Sequence, residues 1–60
     1  MIKGIMFKIE GGLKRYNFEI VAISDNHAIS VADDLYKSLG LIGRFYIEME
    51  TGYNFQITNS

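Results

Sequence analysis

The chain has 60 residues, no cysteine and a single histidine, and its six basic residues nearly balance its seven acidic ones. Neither disulfide bonds nor a zinc site built from cysteine and histidine can supplement the core, so apolar packing must carry the fold. Hydrophobic residues make up 48% of the chain, which excludes a disordered protein. The near-neutral balance argues against a global electrostatic attraction to nucleic acid or anionic membrane.

The length allows one domain, over residues 1–60. Charged and apolar residues alternate from Met1 to Glu10, a pattern that argues against a signal peptide or a membrane span. We therefore expect a cytoplasmic protein without a membrane contact. The absence of cysteine agrees with a reducing compartment.

Two runs of period two predict the first two strands. Ile5, Phe7 and Ile9 alternate with Lys8 and Glu10, which predicts a half-buried strand with these three residues on its inner face. A second alternating run predicts the next strand, with an inner face made of four residues: Tyr16, Phe18, Ile20 and Ala22.

The glycine pair Gly11 and Gly12 predicts a hairpin between these strands, because glycine reaches the positive φ values of tight turns. Two registers keep the apolar faces together. A two-residue loop would pair Phe7 with Tyr16, and a four-residue loop would pair Phe7 with Phe18. The pattern does not distinguish them.

A helical period follows. Its ends are predicted by capping residues: Ser24, Asp25 or Asn26 at the start, and Gly40 at the end, with an apolar contact from Leu41 back to the last turn. The apolar residues expected to face the sheet are Ala28, Val31, Ala32, Leu35 and Leu39.

Two further alternating runs predict strands three and four. Their inward residues are expected to be Phe45, Ile47, Met49, Tyr53, Phe55 and Ile57. A two-residue turn would place Met49 opposite Asn54 and mix apolar with polar residues on each face. A three-residue turn, residues 50–52, instead pairs Met49 with Tyr53 and puts Gly52 at the left-handed position.

The resulting order, β-β-α-β-β, predicts an α+β fold with a four-stranded mixed sheet and one helix packed on one face, a β-grasp-like roll. We expect the two terminal strands to lie parallel in the centre of the sheet. Their hairpin partners would then form the edges, and the second face of the sheet would be open to solvent.

The chain resembles the immunoglobulin-binding β-grasp domains of streptococcal protein G and of protein L over nearly its whole length, most clearly from Asn26 to Ser60. The resemblance lies in the Ala32-Asp33-Asp34-Leu35 stretch of the helix, the stop at Gly40, the Gly43-Arg44-Phe45 segment and the Thr51-Gly52 hairpin. It implies a protein partner bound by the outer side of the helix and the third strand, where Phe45 stands at a position that is Trp in that family. The partner-binding residues that it implies are Ser30, Asp33, Asp34, Lys37, Arg44, Phe45 and Tyr46.

The chain also resembles the archaeal ribosomal protein LX and small phage-type proteins, in the segment Val21 to Ser24 and in the helix end Leu35 to Gly40. This resemblance implies a contact with RNA. The ribosomal family is strongly basic after its helix, whereas the Leu41 to Arg44 segment carries one positive charge. The alternative nucleic-acid surface is therefore the basic first hairpin, with Lys3, Lys8, Lys14 and Arg15.

The sequence predicts no catalytic residue, no cofactor and no metal ligand. His27 lies in the first helical turn without an orienting partner, so we interpret it as a solvated residue. The same interpretation applies to two acidic pairs, Asp33 with Asp34 and Glu48 with Glu50. Gly11 and Gly12 join strands and precede no helix, unlike a phosphate-binding loop.

Three apolar residues fall on the outer parity of the predicted strands: Met6, Val21 and Tyr46. An open sheet face or an edge strand carrying them could support a homodimer or a protein partner. We therefore expect a small non-catalytic protein-binding module, either a phage or mobile-element product or an engineered β-grasp variant. The alternative is an RNA- or DNA-binding protein that uses the basic first hairpin.

Overall fold

The computed structural model describes residues 1–59; Ser60, the last residue of the predicted domain, lies outside this range. The described residues form four strands and one helix, in the predicted β-β-α-β-β order of an α+β fold. The elements are β1 Ile2–Glu10, β2 Leu13–Ala22, α1 Asp25–Ser38, β3 Phe45–Met49 and β4 Asn54–Ile57.

The sheet has the strand order β2-β1-β3-β4, and every neighbouring pair is antiparallel. The predicted mixed sheet, with β1 and β4 parallel in the centre, is therefore wrong. β1 pairs with β3 in an approach at Gly4 that is too close for a side chain. A Cβ at Gly4 would clash with the Met49 side chain and lie 2.7 Å from the Glu48 carbonyl oxygen. The edge strands are β2 and β4.

The first hairpin contains a bulge that resolves its register. Gly11 and Gly12, both at positive φ, form a two-residue turn between Glu10 and Leu13. Farther along, Phe7 faces two residues of β2, because Lys8 pairs with Arg15 whereas Met6 pairs with Phe18. The extra residue lies at Tyr16 and Asn17, and Tyr16 adopts a left-handed φ of 56°.

This bulge reverses the predicted faces of β1. Beyond it, even-numbered residues of β1 pair with even-numbered residues of β2, so Met6 lies on the helix side with Phe18 and is fully buried. The prediction that Met6 lies on the outer face is wrong. So is the prediction that Ile5, Phe7 and Ile9 face the helix, because the neighbours of Met6 in the strand alternate away from it.

The second hairpin has the predicted register. Phe45 pairs with Ile57 and Ile47 with Phe55. The Gly52 amide donates to the Met49 carbonyl oxygen at 2.9 Å, and Gly52 has the positive φ expected of the left-handed position. The predicted three-residue turn, residues 50–52, is confirmed.

The ends of α1 follow from capping. Ser24 is the N-cap, and its hydroxyl oxygen accepts from the His27 amide at 3.1 Å. At the other end, the Leu41 amide donates to the Tyr36 carbonyl oxygen at 3.0 Å, and the Gly40 amide donates to the Lys37 carbonyl oxygen at 3.1 Å. This pair of bonds is the Schellman arrangement, which confirms the predicted helix end.

The core lies between α1 and one face of the sheet. The helix contributes Ala28, Ala32 and Tyr36, whereas Leu39, predicted to face inward, is 48% exposed. The buried cluster consists of Met6, Ile20, Ala22, Ala28, Ala32, Tyr36, Phe45, Ile47 and Met49. The opposite face of the sheet, called the open face below, is not covered by the helix. Within residues 1–59, no helix combines the length and the apolar character needed to cross a membrane.

Candidate protein-binding surface

The open face carries apolar residues where an exposed antiparallel sheet usually carries polar ones. Ile5, Phe7 and Ile9 alternate along the central strand β1 on this face, and Phe7 is directly opposite Tyr46 of β3. We call these four residues the open-face patch. Val21 lies on the same face of β2, opposite Lys3. Ile5 is 39% exposed and Ile9 is 45% exposed, so both project into solvent.

Phe7 is the buried centre of the open-face patch. Its ring stacks on that of Tyr46, with centroids 5.9 Å apart. On the solvent side, the Lys14 ammonium group lies 4.6 Å from the Phe7 centroid. These contacts leave Phe7 only 3% exposed, although it lies outside the helix-covered core.

Lys14 also forms an ion pair that crosses the open face. Its Nζ is 3.1 Å from Oε1 of Glu48, so the side chain reaches from the edge strand β2 over β1 to β3. The two charged side chains are about half exposed, at 55% and 50%. An ion pair with this exposure contributes about 0–1 kcal/mol, so this cover can be displaced at little cost.

A shallow groove of about 370 Å³ lies beside the covered phenylalanine. Its floor is aromatic and aliphatic, with Phe7, Ile9, Tyr46 and Phe55 among its lining residues. Polar side chains border it: Lys14, Glu48, Asn54 and Gln56. An apolar floor with a polar border is typical of sites that bind another molecule.

The residues implied by the immunoglobulin-binding resemblance do not form one surface. Phe45 is 2% exposed and packs in the core, where its ring meets Tyr36 edge-on at 5.8 Å. Tyr46 lies on the open face, and Arg44 donates to the Gln56 side-chain oxygen at 3.2 Å. The remaining four lie on the helix, on the far side of the molecule: Ser30, Asp33, Asp34 and Lys37.

The helix residues among them include one ion pair. Nζ of Lys37 lies 2.9 Å from Oδ2 of Asp33, one turn earlier. The hydrogen bond to Asp33, together with the attraction of that carboxylate, raises the pKa of Lys37 above its usual value. Asp34 and Ser30 are exposed.

The four basic residues of the alternative nucleic-acid surface are divided between the two faces. Lys3 and Lys14 lie on the open face, whereas Lys8 and Arg15, which pair with each other, lie on the helix side. Lys8 Nζ is 3.4 Å from the Ile42 carbonyl oxygen and 4.0 Å from the Glu10 carboxylate. Tyr16, predicted to face the core, is 54% exposed and lies 5.9 Å from the Arg15 guanidinium group.

His27 takes part in helix capping. Its Nδ1 accepts a hydrogen bond from the Ile23 amide at 3.0 Å, while its own amide donates to Ser24. Glu50 likewise has a structural partner, because its carboxylate accepts from the Lys3 amide at 2.6 Å. In the part of the chain that the structure describes, no three His, Cys, Asp or Glu side chains are grouped so that they could hold a metal ion.

The open-face patch and its groove were not predicted as a unit. The sequence pattern predicts Tyr46 and Val21 on the outer face but places Ile5, Phe7 and Ile9 in the core. A signal was present in β1, which is apolar at both parities: Ile2 and Met6 at even positions, and these three at odd positions. A strand that is apolar on both faces needs cover on both sides.

Comparison of the chain with protein-family models, with curated proteins and with solved structures gives no match.

Proposed function

We propose that this chain is a small non-catalytic protein-binding module of the cytoplasm, and that it binds through the open-face patch. The observation that carries the proposal is the apolar row of Ile5, Phe7 and Ile9 on an uncovered sheet face, beside Tyr46. Partly exposed apolar residues around an aromatic centre, bordered by polar residues, are a recognised feature of protein interfaces.

The energetics support a protein partner. Ile5 and Ile9 are partly exposed, and each gains on the order of 1 kcal/mol when a partner removes it from water. Phe7 and Tyr46 supply a rigid aromatic centre of the kind that dominates binding energy at interfaces. The polar border formed by Lys14, Glu48 and the amides of β4 can give orientation and specificity.

The resemblance to immunoglobulin-binding domains is a second reason to expect a protein partner, and it directs attention to the outer side of α1. That side is the competing surface. It is largely charged, and its clearest contact, Asp33 with Lys37, is internal. Ile29 of the helix and Leu39, its C-cap, are about as exposed as Ile5 and Ile9. Only the open face, however, sets its isoleucines in one row with an aromatic pair beside a groove, and it is therefore preferred.

Nucleic-acid binding by the first hairpin has less support. Lys8 and Arg15 lie on the opposite face from Lys3 and Lys14, and two of the four cations have acidic neighbours. A continuous basic surface is the usual electrostatic footprint of nucleic-acid binding. Titration of labelled RNA and DNA at low and high salt measures nucleic-acid binding directly. Loss of that binding in Lys8→Glu would identify the first hairpin as the binding surface.

The proposal is tested by capture of partners from a cell lysate on the immobilised chain, followed by titration of each captured protein. Two patch variants are compared with the wild type: Ile5→Lys, whose new charge faces Glu19 and Glu48, and Ile9→Glu, whose new charge faces Lys14. Asp34→Lys on the helix is the matched control. Circular dichroism verifies the fold of every variant.

The expected result is at least a roughly tenfold loss of affinity in both patch variants, because each places a charge where the partner buries an isoleucine. The control should bind like the wild type. Binding that survives both patch changes and is lost in Asp34→Lys would contradict the proposal and favour the helix surface.

A further inference from the structure

We propose that the partner of the open-face patch is a second copy of this chain, in a two-fold symmetric dimer whose sheets pack face to face with the β1 strands antiparallel. This inference rests on the proposed function and names its occupant. The positions of the charges on the open face favour a second copy as the partner. A closed homodimer requires a surface that is complementary to itself about a two-fold axis.

The charges on the open face are divided between its two ends. Ile5 lies between two acidic residues, Glu19 on β2 and Glu48 on β3. Ile9 is opposite Lys14 of β2. Arg44 immediately precedes β3 and donates to the side chain of Gln56, which pairs with Tyr46, so its guanidinium group lies on the open face beyond Tyr46. Lys3 also lies at the Ile5 end, but acidic residues predominate there, whereas the Ile9 end is basic.

Consider a two-fold axis that lies between the two sheets, above Phe7, and runs across the strands. Rotation about this axis exchanges the two ends. It places Ile5 of one copy over Ile9 of the other, and it brings the two Phe7–Tyr46 centres together once each Lys14 side chain leaves the Phe7 ring and its exposed pair with Glu48. Glu19 then faces Lys14 of the second copy, and Glu48 faces Arg44. Symmetry repeats each contact, so four opposite-charge pairs surround an apolar centre, the arrangement expected of a specific interface.

Each copy also offers a projection and a recess. Ile5 and Ile9 project from the sheet, and the 370 Å³ groove lies beside them on the same face. In face-to-face packing, Ile5 of one copy meets Ile9 of the other, which lines the groove. Sheets that pack in this way keep their strands within about 30° of each other.

The size and charge of the chain agree with such a dimer. A nine-residue strand is about 30 Å long, and four strands span about 14 Å, so the open face can bury on the order of 500 Å² per copy. That value is near the lower limit of a specific interface, so the dimer should dissociate on dilution. The net charge of −1 gives little repulsion between copies.

The open face is preferred over the sheet edges as the contact between copies. The β4 edge is four residues long. The β2 edge contains the bulge at Tyr16 and the charged pair Lys14 and Arg15, features that hinder strand pairing between molecules.

The test is a charge exchange between two chains. In a homodimer of Glu19→Lys, the new lysine of each copy faces Lys14 of the other copy. In a homodimer of Lys14→Glu, the new glutamate of each copy faces Glu19 of the other copy. Each variant alone should dimerise at least roughly tenfold more weakly than the wild type, because attraction becomes repulsion twice over. A mixture of the two restores both pairs in the heterodimer. Native mass spectrometry and sedimentation equilibrium of each variant and of the mixture measure this.

The expected result is a concentration-dependent wild-type dimer, weaker homodimers of both variants, and preferential heterodimers in the mixture. Misfolded variants would not pair preferentially with each other. The mixture therefore distinguishes repulsion at the interface from misfolding of the variants. A wild type that stays monomeric, or variants that pair without preference, would overturn the dimer. If the binding of a captured protein still requires Ile5 and Ile9 in that case, the proposed function stands, and the partner is that protein and not a second copy.

Discussion

The ammonium group of Lys14 lies 4.6 Å from the centre of the Phe7 ring and 3.1 Å from the Glu48 carboxylate. One lysine on an edge strand thus covers the aromatic centre of the open face and is held by an acid two strands away. An ammonium group at this distance from an aromatic face is attracted by about 0.5–1 kcal/mol at an exposed site. The contact explains how a phenylalanine can be buried on a sheet face that no helix covers.

Replacing Lys14 should therefore have a small effect on stability. We expect Lys14→Ala to lower the free energy of unfolding by about 1 kcal/mol, the sum of an exposed ion pair and a cation–π contact. Urea denaturation measures the loss. Lys37→Ala, which removes an exposed ion pair without an aromatic contact, is the control. A loss above about 3 kcal/mol would mean that Lys14 is part of the structural core.

Adjacent positions in β1 test the assignment of its faces. Met6 is fully buried under the helix, so Met6→Ala should cost about 2–5 kcal/mol. Ile5 is 39% exposed on the open face, so Ile5→Ala should lower the free energy of unfolding by about 1 kcal/mol. Urea denaturation of both variants at low protein concentration provides the comparison. Equal losses, or a larger loss at Ile5, would contradict the register set by the bulge.

Gly4 tests why β3 lies beside β1. A methyl group there would meet the Glu48 carbonyl oxygen at 2.7 Å and clash with the Met49 side chain. We expect Gly4→Ala to destabilise the fold by about 1–3 kcal/mol, because the strands must move apart. Thermal unfolding, with Ser30→Ala on the exposed helix face as the control, measures the effect. A stabilised Gly4→Ala variant would show that the two strands are not in this close contact.

The N-terminus of α1 gives a prediction about capping. Ser24→Ala removes the acceptor of the His27 amide and should cost about 0.5–2 kcal/mol. Ser24→Asp keeps an acceptor and adds a charge that suits the helix dipole, so it should retain most of the stability. Chemical denaturation of the two variants separates loss of the cap from a general intolerance of substitution at this position.

The Asp33–Lys37 pair predicts a pH dependence at the alkaline end. The hydrogen bond and the charge of Asp33 raise the pKa of Lys37 in the folded chain. A raised pKa means that the contribution of the pair is complete below the unfolded value of 10.5 and is lost as the pH rises through the folded value. Melting temperatures above neutral pH, measured for the wild type and Asp33→Asn, test this. Only the wild type should show this component of the alkaline decrease.

The parts of the fold that could be predicted are those with a local chemical cause. Gly40 and Leu41 end the helix through two backbone bonds, and the parity of residues 45–57 permits one turn length. The faces of β1 could not be predicted, because both are apolar. The bulge that decides between them depends on Tyr16, a residue type with no preference for the left-handed conformation.

The candidate surface was predictable only in part, for the same reason. Tyr46 and Val21 were recognised as apolar residues on outer positions, but the residues between them were assigned to the core. The strand order had no local signal either. It depends on a close approach at Gly4, which is a tertiary contact rather than a sequence pattern.

The open face as the contact between two copies of the chain is tested most directly by mapping amide chemical shifts of the isotopically labelled chain as it is diluted. If the open-face patch binds a second copy, the concentration-dependent changes should centre on Ile5 to Ile9 and on Tyr46, with smaller changes at Glu19 and Arg44. Changes restricted to the outer residues of α1, or spectra that do not depend on concentration up to the solubility limit, would contradict this account.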